Sequence, residues 1–322
     1  MRAIRIHQTG GPEVMKLEDI ELAAPGEGQA QVRNHAVGVN YLDIYFRSGL
    51  YPSQLPFTPG SEGAGEVVSI GSGVTGFKVG DRVAYVTTPG SYAQARNVEV
   101  KHLVALPASI SYEQAAGMML KGLTAQYLLR QTYRVQPGDT ILVHAAAGGV
   151  GQILCQWGKH LGATVVATVG SDAKVEVAKS CGADHVVNYS SEDFAARVGE
   201  ITRGAKCAVV YDGVGKATFP ASLDCLRPFG VFASYGSASG QVEAFNLGLL
   251  GAKGSLFATR PTLFTFLADR ARLETMAQEL FDVVGSGAVK IAISESAPLA
   301  DVARVHRELE GRKTTASIVL IP

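Results

Sequence analysis

The 322-residue sequence has no apolar run near the ~18 residues that a membrane-crossing helix needs. Its start, Met1-Arg2-Ala3-Ile4-Arg5-Ile6, lacks the ~7–15-residue apolar stretch of a secretory leader and reads as a first strand. There are only four cysteines, Cys155, Cys181, Cys207 and Cys225. None stands in a Cys-x-x-Cys pair, so neither a zinc ribbon nor a redox dithiol is indicated. Net charge is also absent: 29 Lys and Arg offset 29 Asp and Glu. A neutral chain without a basic run has no bulk attraction for a phosphate backbone, which argues against a dedicated nucleic-acid binder. No Gly-x-Ser-x-Gly elbow or carboxylate pair points to hydrolysis. These absences describe a reduced, cytoplasmic protein that is not embedded in a membrane.

Hydrophobic residues make up 47% of the chain and charged residues 18%, enough for a large core. The length suggests roughly two domains at ~150 residues each. Glycine is abundant, at 37 residues. Residues 1–100 read as short strands separated by turns such as Gly10-Gly11-Pro12, Gly71-Ser72-Gly73 and Pro89-Gly90. A different texture begins near Thr124. A helix is expected over 124–133, a turn at Pro137-Gly138-Asp139, and a continuous apolar strand over 140–144. Helices over 149–161, 172–181, 191–202 and 217–225 then alternate with strands over 164–169, 185–188, 207–211 and 229–234. This order predicts an α/β, doubly wound parallel sheet. A helix over 263–285, a short strand, a helix over 299–310 and a strand over 315–321 are expected to return to the N-terminal unit. The resulting boundaries are 1–123, 124–262 and 263–322.

The strongest local feature is Ala145-Ala146-Ala147-Gly148-Gly149-Val150-Gly151, directly after the 140–144 strand and opening a helix. It follows the spacing G-x-G-x-x-G with Ala146 at the first position. Gly148 lets backbone approach a pyrophosphate, and Gly151 lets the helix pack against the strand. The helix start offers free N–H groups and a positive dipole end. Strand, loop, helix and second strand fall within a ~30-residue unit, which is the context this motif requires. The second strand ends in Val169-Gly170-Ser171 without the carboxylate that holds a ribose in NAD binders. Ser171 and Lys174 suit a 2′-phosphate, so NADPH is favoured over NADH. Asp172 reads either as a first-turn acid or as a ribose ligand.

Several segments together carry a resemblance: Val39-Asn40-Tyr41-Leu42-Asp43, Arg47 to Pro52, Pro59 to Gly65, Gly80-Asp81-Arg82-Val83, Ala145 to Gly151 and the closing Leu320-Ile321-Pro322. Over nearly its whole length the chain resembles the zinc-independent medium-chain dehydrogenase/reductases, in particular the zeta-crystallin-like quinone oxidoreductases. The resemblance implies a β-rich, GroES-like catalytic domain built from both chain ends, with a Rossmann cofactor domain inserted. It also implies a homodimer formed partly through the cofactor domain. Zinc-bearing relatives carry a cysteine where this chain has Asn40 and a histidine where it has Ser61. Neither replacement is a credible zinc ligand, so no metal is expected.

By the same resemblance, Asn40, Asp43, Tyr45 and Tyr51 line an acceptor site expected between the domains. Asn40 is suited to hold the cofactor carboxamide or a substrate carbonyl. Tyr45 and Tyr51 can stack on a flat quinone and donate a hydroxyl. Asp43 would order the loop or relay a proton. Thr124 is implied near the nicotinamide. Ala147, Gly148, Gly149 and Val150 belong to the phosphate loop; Gly170, Ser171, Lys174 and Tyr189 surround the adenosine side. Val214, Tyr235, Gly236, Ser237, Phe257 and Thr259 are implied as further cofactor contacts, and Arg312 as a second partner of the 2′-phosphate. The family often has Phe-Gly-Asn where this chain has Tyr235-Gly236-Ser237, which changes that corner. The activity implied is NADPH-dependent reduction of small quinones. The alternatives are an enoyl or alkenal double-bond reductase and, in another class, a nucleic-acid-binding or structural zeta-crystallin-like protein.

Overall fold

A computed structural model describes residues 1–311 and 314–322. It divides into two compact units: Met1–Leu123, Leu267–Gly285 and Ile291–Pro322 form one; Thr124–Phe266 and Ser286–Lys290 form the other.

Along the chain, the first unit begins with the antiparallel pair β1 (Arg2–Ile6) and β2 (Met15–Asp19). β3 (Gln29–Gly38), helix α1 (Tyr41–Ser48), β4 (Glu62–Ile70), β5 (Arg82–Val86), β6 (Ala95–Glu99) and β7 (Leu103–Ala105) follow. Then comes a long helix, α2 (Tyr112–Tyr127), extended by a π-helical turn over Leu128–Thr132. The expected start at 124 is therefore wrong. The Ser111 hydroxyl accepts from the Gln114 N–H at 3.1 Å, and the Gln114 side chain accepts from the Ser111 N–H at 3.1 Å. This reciprocal cap starts the helix a full three turns early.

The second unit holds β8 (Thr140–Val143), α3 (Gly149–His160), β9 (Thr164–Val169), α4 (Val175–Ser180), β10 (His185–Asn188), α5 (Phe194–Ile201), β11 (Cys207–Asp212) and β12 (Leu226–Ser234). After them come α6 (Gly248–Ala252), β13 (Phe257–Thr259) and α7 (Leu263–Phe266). Its six strands run in the order β10-β9-β8-β11-β12-β13, and every pairing is parallel. The order reverses between β8 and β11, the switch point at which such sheets bind ligands beyond their carboxyl ends. β8, β9 and β11 are almost wholly buried, as continuous apolar strands covered on both faces should be. One expected helix, 217–225, is reduced to a 3-10 turn over Ala221–Cys225. Pro220 has no N–H to give and disfavours helical backbone in the residue before it.

The chain then runs through α8 (Arg270–Gly285), β14 (Ile293–Pro298), α9 (Val302–Glu310) and β15 (Ser317–Ile321). The single helix expected over 263–285 is broken. The Asp269 carboxylate accepts from the Arg272 N–H at 2.7 Å and starts α8 afresh. β14 and β15 complete the first unit's seven-stranded sheet, ordered β14-β15-β3-β4-β5-β7, with β6 also paired to β3. One core packs Ile4, Ile6, Val37, Val39 and Tyr92 against Val302, Val305 and Leu320. Residues from both ends of the chain thus share one apolar cluster. The fold is α/β, a Rossmann unit inserted in a β-rich GroES-like unit.

Candidate active site

In the first unit, the turn between β3 and α1 gathers polar groups that are almost all buried. Asn40 lies two residues beyond β3 and is the N-cap of α1. Its N–H donates to Asp43 Oδ2 at 2.8 Å, closing the first turn of α1. Its side-chain Nδ2 donates to Glu62 Oε1 at 2.7 Å. Glu62, wholly buried at the start of β4, also accepts from the Leu120 N–H at 2.6 Å and from Lys121 Nζ at 3.2 Å. Lys121 donates as well to the Val39 carbonyl at 3.2 Å. Gly38 makes room for this: a Cβ there would lie 2.3 Å from Glu62 Oε1 and 2.1 Å from the Ala116 carbonyl.

A second branch runs from Asp43. Its Oδ2 accepts from the Tyr92 hydroxyl at 2.9 Å and its Oδ1 from Ser61 Oγ at 3.3 Å. Tyr92 Oη lies 3.1 Å from His306 Nε2, and His306 Nδ1 lies 3.1 Å from Arg47 Nη1. Arg47 also holds Glu310 and the Gly10 carbonyl. Burial pushes the Asp43 carboxyl up to about 7, with a further push from Glu62; Tyr92, Asn40 and Lys121 pull it back. Burial, helped by Arg47, lowers His306 to about 3, so this imidazole is neutral in the physiological range. Tyr45 and Tyr51 lie at the margin of this region. Their ring centroids are 5.3 Å apart, and the Tyr51 N–H donates to the Tyr45 carbonyl at 3.0 Å. Both are half-buried, whereas Asp43 is enclosed and Asn40 is only 5% exposed. The four residues expected at the acceptor site are thus two half-buried aromatics and two interior polar groups.

In the second unit, Gly148 is the N-cap of α3 and its backbone is extended. A Cβ on Gly148 would meet only the Ala145 carbonyl, at 3.2 Å, so the space in front of the helix is open. A Cβ on Gly151 would stand 2.4 Å from the Ala145 carbonyl and 2.7 Å from Ala146 Cα, so this position admits no side chain. Ala147, Gly149 and Val150 complete the loop and first turn, whose N–H groups have no partner within the helix. Ala145 itself has φ 52, an unusual conformation for a residue with a Cβ. At the tip of β9, Gly170 leaves room for the Tyr189 hydroxyl, which would be 2.7 Å from a Cβ. Ser171 precedes the 3-10 turn there and Lys174 is its last residue. Asp172 accepts from Asn188 Nδ2 at 2.7 Å.

The loop after β11 is pressed against the one after β12. Val214 and Gly215 donate their N–H groups to Asp212 Oδ1 at 2.8 and 2.9 Å, and a Cβ on Gly236 would lie 2.6 Å from the Gly213 carbonyl. Tyr235 stands beside Gly213, with Ser237 next in the chain. Phe257 and Thr259 are exposed on the edge strand β13. Thr124 lies inside α2 and is buried. Arg312 lies outside the described residues.

Two family models match. The Alcohol dehydrogenase GroES-like domain covers residues 26–137, and the Zinc-binding dehydrogenase model covers residues 149–282. Similarity extends over the whole chain to a quinone oxidoreductase of Pseudomonas aeruginosa, at 51% identity over 100% of this chain and 99% of that one. The solved Escherichia coli quinone oxidoreductase, complexed with NADPH, superposes with a TM-score of 0.98 at 46% identity over 100% of both chains. This chain belongs to the quinone oxidoreductase family of the medium-chain dehydrogenase/reductases. A 2-haloacrylate reductase of Burkholderia is also similar, at 44% identity over 98% of each chain. Although one matching model is described as zinc-binding, no group of three or more His, Cys, Asp or Glu among the described residues is placed to hold a metal.

Sequence reasoning passed over the residues that organise this quinone oxidoreductase-family fold from inside. Glu62 and Lys121 are the clearest cases. Each is a lone charge in an apolar or small-residue run, Ser61-Glu62-Gly63-Ala64 and Met119-Leu120-Lys121-Gly122, and that isolation was the available signal. Tyr92 and His306 are brought to Asp43 by tertiary structure alone. His144 is a similar omission. Its Nδ1 is 2.7 Å from Thr168 Oγ1 and its Nε2 is 3.0 Å from Ser222 Oγ, which donates to Asp212 Oδ2 at 3.0 Å. That chain ties the strand under the phosphate loop to the loop holding Val214.

Proposed function

We propose that the chain is an NADPH-dependent quinone reductase that transfers reducing equivalents to small quinones without a metal ion. The observation that carries the reading is the cradle at the switch point of the parallel sheet, combined with Ser171 and Lys174 at the tip of β9. The cradle suits a pyrophosphate: Gly148 leaves the approach open, and Gly151 brings the start of α3 close to the strand. A hydroxyl and an ammonium at the β9 tip suit a 2′-phosphate, and the neighbouring Asp172 is already bonded to Asn188. The Escherichia coli relative is described as complexed with NADPH, which supports the same choice. When bound, NADPH supplies the hydride.

The chain's own residues then bind, orient and shield. Ala147, Gly148, Gly149 and Val150 hold phosphate through backbone N–H groups. Gly170, Ser171, Lys174 and Tyr189 surround the adenosine side. Thr124, Val214, Tyr235, Gly236, Ser237, Phe257 and Thr259 complete the cofactor contacts. Tyr45 and Tyr51, half-buried at the margin of the polar cluster, are the residues to stack on a flat acceptor and donate a hydroxyl to its oxygen. Asn40 is held in one orientation by Glu62, which leaves the opposite side of its amide for ligand.

We also assign a homodimer to this function. β13 is an unpaired edge, with Phe257 61% exposed and the nearby Leu247 71% exposed. Exposed apolar edge strands invite pairing with another chain. The four cysteines are free thiols, as a reducing cytoplasm would keep them.

The test is NADPH and NADH oxidation with a para-quinone, an ortho-quinone, an enone and 2-haloacrylate as acceptors. Preferential NADPH oxidation by quinones is expected. Faster turnover of the enone or haloacrylate would move the assignment to double-bond reduction.

A further inference from the structure

Helix α1 carries two enclosed charged side chains one turn apart, Asp43 and Arg47. Tyr92 and His306 join them in a chain whose donors and acceptors have only one consistent assignment. A guanidinium can only donate. Arg47 Nη1 therefore donates to His306 Nδ1 at 3.1 Å. The single proton of this neutral imidazole is then on Nε2, which donates to Tyr92 Oη at 3.1 Å. The Tyr92 hydroxyl is left to donate to Asp43 Oδ2 at 2.9 Å. The Asn40 N–H reaches the same oxygen, and Ser61 reaches the other. Every polar hydrogen in the chain points toward Asp43. A proton on Oδ2 would face two donors, and a second proton on His306 would face Arg47.

We propose that Tyr92, His306 and Arg47 are positioning residues for quinone reduction: they hold Asp43 as a carboxylate, and that carboxylate ties the N-cap Asn40 to the start of α1, the helix that carries Tyr45. The inference rests on the functional reading above. It makes turnover depend on one proton at a buried group. The charged and titratable groups facing Asp43 are Glu62 from β4, Lys121 from α2 and Tyr92 from the segment after β5, with His306 of α9 and Arg47 of α1 behind Tyr92. Of these, Glu62 favours the protonated carboxyl, while Lys121 and the Tyr92 hydrogen bond favour the ionised one. With burial included, the titration falls at about 7.

The experiment is a pH profile of NADPH-dependent para-quinone reduction from about pH 6 to about pH 9. Wild type, Tyr92→Phe, His306→Leu and His306→Gln are compared, each first shown to be folded by thermal melting. In the wild type, kcat should fall about tenfold per pH unit below a single inflection, the slope of one proton. Tyr92→Phe and His306→Leu should move the inflection to higher pH. His306→Gln, whose amide can accept from Arg47 and donate to Tyr92, should bring it back toward the wild-type position. An inflection that neither Tyr92→Phe nor His306→Leu moves would overturn the positioning role while leaving the functional reading intact. No quinone reduction at any pH would refute that reading, and the positioning role with it. A second readout needs no acceptor: NMR of the labelled imidazole should show His306 neutral with its proton on Nε2. A proton on Nδ1 would overturn the chain whatever the activity.

Discussion

Replacing Asp43 by asparagine removes a charge that the fold holds at a cost, and the sign of the stability change follows from the burial. The Asp43 carboxyl rises from 3.8 to about 7 on folding, chiefly through desolvation. The folded state therefore binds the proton more tightly than the unfolded chain does. The stability this contributes is fully present below the ordinary carboxyl value and is lost as pH rises through about 7. At about 1.4 kcal/mol per pH unit, the full effect reaches about 4 kcal/mol as a ceiling. His306 runs the other way: lowered to about 3, it costs stability as pH falls below its ordinary 6.5. In the wild type the two slopes offset each other below pH 6.5. The difference between Asp43→Asn and wild type isolates Asp43. Melting temperatures of both proteins, measured from about pH 5 to about pH 8, should diverge in favour of the variant by roughly 5 °C as pH rises. Absolute stability is not the readout, because asparagine also alters the bonds to Tyr92 and Asn40. A difference independent of pH would refute the claim that Asp43 carries a strongly raised carboxyl. Activity and stability are then expected to respond to the same proton with opposite signs.

Four further outcomes follow from the geometry. Lys174→Ala should raise the KM for NADPH about tenfold or more and leave that for NADH nearly unchanged, the cost of one charge-assisted contact; steady-state kinetics with both cofactors checks it. Tyr45→Phe should lower kcat or raise the acceptor KM with NADPH binding unaffected. Lys121→Met leaves Glu62 buried without its counter-charge and should cost about 3–5 kcal/mol in denaturant unfolding, with part of the loss recovered in Glu62→Gln/Lys121→Met. Gly151→Ala places a Cβ 2.4 Å from the Ala145 carbonyl and should weaken NADPH binding by calorimetry as the loop shifts.

The alternating strands and helices of the cofactor unit were legible because its central strands, β8, β9 and β11, are buried on both faces and read as nearly unbroken apolar runs. The expected bounds 164–169 and 185–188 are those of β9 and β10. The phosphate loop was legible for a related reason: a glycine that must touch backbone, such as Gly151, has no substitute. Helix starts were less so. Ser111 and Gln114 form a local signal that is easily lost inside an apolar stretch, and Asp269 splits what periodicity alone reads as one helix. The interior of the first unit was the least legible part. His306 stands 263 residues from Asp43, and no local pattern relates them. Glu62 and Lys121 were visible as isolated charges, but only the meeting of β4 with α2 makes them a pair.

A single-turnover measurement separates NADPH-dependent quinone reduction from cofactor binding alone. Purified protein preloaded with NADPH is mixed with a para-quinone, and nicotinamide absorbance is followed in stopped flow beside an NADH-loaded sample. Rapid oxidation of bound NADPH by the quinone is expected, with NADH requiring much higher concentrations to load. Tight NADPH binding followed by no oxidation on adding quinone would rule out quinone reduction by this protein.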